Sequence, residues 1–332
     1  MRDSVASMLR TLVRSLLIGI AVLGGWPGGA TPAQAATQIT SCPFVISQPG
    51  EYELGADLTC PGSAILITAS DVHLTLAGFT LTGPNNGTGV GIRVQGTAAQ
   101  PLTDVHINGG TVQKFGLGIF LQYVNESHVN GMFSQDNVLG ALSGDGIKLE
   151  HSADNHVNGN TFTRNNGFGV RLVDADGNQF NTNVITENIG LQRDGGVILT
   201  EGSTDNRFTS CDISRNGEVG FWIFDRASGG NLIQGCVIND NDVLQATAMA
   251  GIIVLSNNNT IRGNEVNRNR VGISITTGAN GNLIQSNTAL DNRIRDMQDF
   301  NLPLCVNTWK SNAFVIDNET GTEFGPDAGC IR

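Results

Sequence analysis

An asparagine-spaced pattern recurs along most of the chain, and no other feature limits the fold so tightly. Its clearest copy runs Asn155, Val157, Asn160, Phe162, Asn165, then Gly169, Val170 and Leu172. The first position returns at Asn178, Asn206, Asn231, Asn259, Asn282 and Asn307, at intervals of 23 to 28 residues. A unit this short has no core of its own and must bury its apolar face against the units before and after it. The pattern therefore predicts stacked coils with loops of varying length.

Aligned on their asparagines, the units give three apolar columns. One is Ile107, Val129, Val157, Phe180, Phe208, Ile233, Ile261, Ile284 and Trp309. The second is Phe162, Ile185, Ile213, Ile238, Val266, Ala289 and Phe314. The third follows the glycines through Ile92, Ile119, Ile147, Val170, Val197, Phe221, Ile252 and Ile273. Apolar and polar residues alternate over three to five positions, which is the period of a strand and not of a helix. Three short strands per coil, stacked in parallel, predict an all-β, single-stranded right-handed parallel β-helix of about ten coils. The asparagines read as scaffold: they suit tight bends, and stacked carboxamides can hydrogen-bond from coil to coil. Length varies at one corner, between the last Asn and the glycine strand. Asn165 to Gly169 is tight, whereas Asn137 to Gly146, Asn188 to Gly196 and Asn241 to Gly251 are long. Loops growing from one edge of a solenoid usually line its binding face.

Residues 1–35 read as a secretion signal, with Arg2, Arg10 and Arg14 near an apolar run from Leu16 to Leu23 and Ala33-Gln34-Ala35 as cleavage site. The run is short for a membrane span, although an uncleaved anchor is the alternative. Its removal takes away three arginines and one aspartate, so the formal net charge moves from −11 to about −13. An acidic body of that kind makes a poor partner for nucleic acid. The organisation expected is a signal over 1–35, an N-terminal cap over 36–64, the β-helix over 65–304, and a last coil with its cap over 305–332. A monomer, secreted or periplasmic and without a membrane span once the signal is cleaved, follows from this reading.

All six cysteines lie beyond the signal, as an oxidising compartment allows. Cys42 and Cys60 flank the first cap and Cys305 and Cys330 the last, so each pair reads as a disulfide closing an end, worth about 3 kcal/mol by loop-closure entropy. Cys211 and Cys236 occupy the slot that holds Asn160, Asn183, Asn264 and Asn287 in other coils. Two readings stand for them: a third disulfide, which needs the coils to pinch from about 4.8 Å, or two buried thiols packed as small apolar groups.

With these columns in hand, the chain resembles the secreted right-handed β-helix proteins of the pectin-lyase-like superfamily in their short-repeat form, shared with the β-helix repeats of periplasmic copper-related proteins. The opening PGEYELGADLTC and ILITASDVHLTLAGFTLTG look like that group's N-terminal cap and first coil, and CVNTWKSNAF with GCI looks like its closing coil and cap. The resemblance spans roughly residues 40–331. It implies a fold and not one activity, because the superfamily holds lyases, hydrolases, epimerases and members with no known activity.

Chemistry has three candidate places. SGDGIKLEH carries Asp145, Lys148, Glu150 and His151, with Arg171 one coil on and Arg193 and Asp194 in the next loop. Strand alternation points Lys148 and Glu150 outward, and stacked Lys148 and Arg171 call for an acid or an anionic ligand between them. SGDGIK is similar to part of the polygalacturonase motif Asn-Thr-Asp-Gly-Ile-Asp, but Lys148 replaces the last Asp and the family's Asp-Asp, Gly-His-Gly and Arg-x-Lys motifs are missing. As an enzyme site, Asp145 and Asp194 would be acid and base, roughly 9–10 Å apart, with Lys148, Glu150 and Arg171 contacting a sugar acid. The plainer reading is a solvated charged strand face. The second place is His106, His128 and His156, outward on successive coils, where a shared metal ion competes with ordinary half-exposed imidazoles. The third is Trp222 with Phe224, which would stack on a sugar or pack beneath the loop from Asn241 to Gly251. The expectation is a protein that binds, and as an enzyme also processes, an extracellular polysaccharide. The alternative is a non-catalytic envelope rod.

Overall fold

The computed structural model describes residues 35–190, 194–244, 249–319 and 326–332. The expected signal segment, apart from Ala35, lies outside the described residues, as does Arg193. Among the described residues every regular element is a strand, 29 in all, and every strand-to-strand ladder is parallel. The body formed from Ala35 onward is a β-solenoid. Its glycine-strand face alone counts eleven strands, one per coil.

Each apolar column lies in register. Ile107 pairs with Val129, Val129 with Val157, and the pairing continues to Ile284 with Trp309. On the glycine face Ile119 pairs with Ile147, then Val170, Val197, Phe221, Ile252 and Ile273. The columns interlock as one hydrophobic core, with Phe162, Phe180, Phe208 and Phe221 fully buried. Met297 extends the glycine-face column by one coil; its unit, Arg295–Asp299, lacks the leading glycine that marks the others in sequence.

The asparagines form three internal ladders rather than the bends themselves. In the first, the Asn155 amide donates to Asn178 Oδ1 at 3.0 Å, and the chain of bonds runs on through Asn206, Asn231, Asn259 and Asn282 to Asn307. Each Oδ1 also accepts the backbone N–H of the Asn one coil before, as Asn206 does from Asn178 at 3.0 Å. The bend falls one residue earlier. Asp154, Thr182, Arg164, Glu187 and Arg215 all take φ near +55°, directly before Asn155, Asn183, Asn165, Asn188 and Asn216. The carboxamides satisfy the buried backbone groups that this left-handed turn leaves unpaired.

The third ladder, from Asn137 through Asn165, Asn188, Asn216, Asn241 and Asn269 to Asn292, explains the glycines. A Cβ on Gly220 would lie 2.6 Å from the Gly251 carbonyl oxygen and 2.8 Å from the Asn241 amide. The strand leaves this corner so close to the ladder that no side chain fits.

Cys42 and Cys60 are bonded, as are Cys305 and Cys330, with Cα atoms 5.7 and 5.2 Å apart. Cys211 and Cys236 are free and buried, so the third bridge is not formed. They interrupt the second ladder: the Cys211 N–H points at Cys236 Sγ at 3.4 Å, and the Cys236 N–H at Asn264 Oδ1 at 2.9 Å. The neighbouring Cys211 and burial together push the Cys236 thiol well up.

Candidate functional site

The outward positions of the glycine face stack as tightly as the inward ones. Arg93, Phe120, Lys148, Arg171, Ile198, Trp222 and Ile253 follow one another coil by coil. Lys148 and Glu150 do point away from the core, as strand alternation dictates, and Lys148 lies directly against Arg171 in register. The cations are matched by acids from the protein itself. Lys148 is bonded to Glu150, which also accepts from Gln122 at 3.0 Å. Burial opposes the charge on Glu150, yet Lys148 and Gln122 hold its carboxyl below the usual carboxylate range. The Lys148 ammonium sits 5.3 Å over the Phe120 ring.

Asp145 is fully buried and saturated. Arg171 grips it with Nε at 2.6 Å and Nη2 at 3.2 Å, the Phe168 N–H donates at 2.8 Å, and the Ser143 hydroxyl at 2.5 Å. Four donors occupy the acceptor capacity of one carboxylate. Burial opposes the Arg171 charge, but Asp145 and then Asp194 keep its guanidinium more firmly protonated than usual. Asp194 is likewise buried. The fold thus brings Asp145, Arg171 and Asp194 together, with both carboxylates buried and Asp145 locked to Arg171. An acid–base role for Asp145 would require Arg171, Ser143 and the Phe168 N–H to release its carboxylate first.

Of the two readings for Trp222, packing is the one its surroundings match. It is 8% exposed, packed among Phe168, Ile198, Val219, Ala250, Ile253 and Val271, with Met249 from the end of the long loop against it. The exposed aromatic is Phe224, edge-on to Trp222 at 4.8 Å. Phe224 borders an open groove of about 750 Å³, lined with Lys148, Arg171, Thr200, Glu201, Asp225 and Arg226. Of the long corner loops only Ser143 reaches it among the described residues. The far wall comes from the end of the glycine strand and the turn after it, and sequence reading missed Thr200 and Glu201 because that stretch carries no repeat signal. Asp225 braces its own turn by accepting the N–H groups of Ala227 at 2.8 Å and Ser228 at 3.0 Å. Its Oδ2 is buried and lacks a hydrogen-bond partner. Arg226 donates to the carbonyls of Thr277 and Gly278.

The histidines stack on a different face. Ring centroids of His106 and His128 lie 4.5 Å apart, and of His128 and His156 5.0 Å apart. A fourth ring, His73, precedes them 4.5 Å from His106. The signal for it is the shared tripeptide of Asp71-Val72-His73 and Asp104-Val105-His106. Carboxylates join the stack: Asp104 lies 2.8 Å from His106 Nε2 and Glu51 3.0 Å from His73 Nδ1. Burial, then the neighbouring His106 and His156, lower the pKa of His128. His151 is elsewhere, stacked on Tyr123 and bonded to Asp174 at 2.7 Å.

The architecture and its ladders define a right-handed β-helix protein, and the family model described as "Right handed beta helix region" matches residues 60–191 and again 123–289. The chain belongs to that family. No curated protein matches it in sequence. Among solved structures it is similar to the Dettilon tailspike protein, at 17% identity and TM-score 0.59, covering 82% of this chain and 62% of that one. It thus spans less than two thirds of the tailspike chain. It is also similar to the periplasmic alginate epimerase AlgG, at 13% identity and TM-score 0.58, covering 82% of this chain and 76% of the other. The A-module of Azotobacter vinelandii mannuronan C-5 epimerase AlgE6 gives 16% identity and TM-score 0.52, covering 85% and 91%. At these identities the likeness is one of fold. Among the described residues no helix is long and apolar enough to cross a membrane.

Proposed function

We propose that this protein binds an extracellular polysaccharide along the groove between Lys148 and Arg226. The observation that carries the reading is the groove itself, which crosses four successive coils. Three steps of about 4.8 Å give roughly 14 Å of length, enough for a run of sugar rings. An aromatic edge at Phe224 offers a stacking surface, and Lys148, Thr200, Glu201 and Arg226 supply donors and acceptors for hydroxyls. Two of the similar structures are epimerases named for alginate and mannuronan, which favours a polysaccharide over other polymers. The two disulfides suit an extracellular or periplasmic setting.

The saturation of Asp145 favours binding without an Asp145–Asp194 acid–base step. The test is to titrate the purified protein with alginate, polygalacturonate and neutral glucans while following reducing ends and the ultraviolet absorbance of unsaturated products. Binding to at least one, weakened about tenfold by Phe224→Ala or Arg226→Ala, supports the groove. Binding to none of them sinks the glycan reading and leaves a rod without a glycan partner. Turnover that Asp145→Asn abolishes in a folded protein would restore the acid–base role.

A further inference from the structure

We infer that His73, Asp104 and His106 form a binding site for one divalent transition-metal ion of the zinc class, on the histidine face and separate from the groove. The inference stands independently of the glycan reading. One ligand atom from each of the three residues lies within 4.8 Å of the others. Two imidazoles and a carboxylate are a donor set that zinc and its neighbours take up readily. A tetrahedral ion with bonds of about 2.0–2.1 Å wants its ligands roughly 3.3 Å apart, so Asp104 and His106, at 2.8 Å, open slightly while the wider contacts of the cluster close. His73 and Asp104 have that freedom, being 44% and 54% exposed.

Three further observations point to a ligand rather than to packing. The fold does not require imidazole in this column. The same register position is Gln179, Arg207, Leu232 and Thr260 in later coils. Glu51, in register one coil above, bonds His73 Nδ1 at 3.0 Å, as the carboxylates behind metal-bound histidines do when they fix the ring and its tautomer. One coil below, His128 carries a buried Nδ1 with no hydrogen-bond partner, 4.5 Å from His106 between ring centroids. The set is poor in oxygen, which argues against calcium, an ion that takes six to eight oxygen ligands.

The experiment uses the untagged full chain, stripped with chelator and titrated with zinc chloride by calorimetry, with metal content measured after dialysis. One equivalent of zinc per chain is expected, and His73→Ala and His106→Ala should each lower affinity at least tenfold. Glu51→Gln should lower it more mildly, and His156→Gln should leave it unchanged. Calcium chloride should give no heat that these substitutions alter. Circular dichroism on each variant confirms the fold, which outward positions on a sixteen-stranded sheet should keep. Absence of zinc uptake, or uptake indifferent to both His73→Ala and His106→Ala, overturns the assignment. Loss in His156→Gln with retention in His73→Ala overturns it as well, by placing the ion lower in the stack.

Discussion

At the scale of single residues, the decisive pair is Arg171 and Asp145. Removing the guanidinium strands a carboxylate that is 0% exposed, and an unpartnered buried charge is strongly destabilising. Arg171→Ala should therefore cost about 3 kcal/mol in urea unfolding. Lys148→Ala, which breaks the more open pair with Glu150, should cost less than about 1 kcal/mol. Equal losses for the two would show that Asp145 finds other compensation. The comparison also bears on reading motifs. An aspartate ahead of a strand glycine read in sequence as one half of an acid–base pair. Its burial depends on Arg171, Ser143 and Phe168, which come together only when two coils stack. Phe224 and Trp222 teach the same lesson in the other direction. Both alternate outward, but the neighbours Ile198 and Ile253 cover one and leave the other open.

At the scale of the element, the unit is the coil with its three asparagine rungs. Buried backbone groups at each turn are satisfied by the carboxamide of the next coil, so a missing rung leaves N–H groups with weaker partners. Cys211 and Cys236 are that defect, two coils long. The double substitution Cys211→Asn and Cys236→Asn should complete the ladder from Asn183 to Asn264 and raise stability by about 1–2 kcal/mol, read from denaturant midpoints. The same slot already accommodates Asn in the flanking coils, so space is available. A loss of stability would mean that the thiols fill a locally narrower corner. Most of the coil was legible beforehand because each apolar column repeats at one register. The ladders' division of labour was not: the bend belongs to the preceding residue, and Asp, Arg, Glu, Thr or Gly can hold it, so it leaves no single-letter trace.

At the scale of the molecule, a stack of coils is stabilised mainly by nearest-neighbour contacts, and its ends lack one neighbour each. The disulfides close segments of 18 and 25 residues at those ends. Inside the last coil Asp299 accepts from the Asn307 amide at 2.9 Å and the Trp309 indole at 3.1 Å, ending the first ladder on a carboxylate. Replacing Cys305 and Cys330 with Ser should cost about 3 kcal/mol. The loss should appear in hydrogen exchange as faster opening of the final coils, with the coils around Phe162 and Phe180 unchanged. Uniform acceleration along the rod would contradict nearest-neighbour behaviour.

Sequence alone determined the solenoid, its three core columns and the two end disulfides, because each is a periodic or paired feature carried by residue type and spacing. It placed Lys148 over Arg171 and the histidines over one another for the same reason. Only the tertiary structure decided which of those outward residues are open. Exposure on a solenoid face depends on the loops and neighbouring coils that lie over it, and these vary in length without a repeat. Asp145 and Trp222 were closed by such neighbours, while Glu201, Arg226, His73 and Asp104 came to line a groove and a histidine cluster.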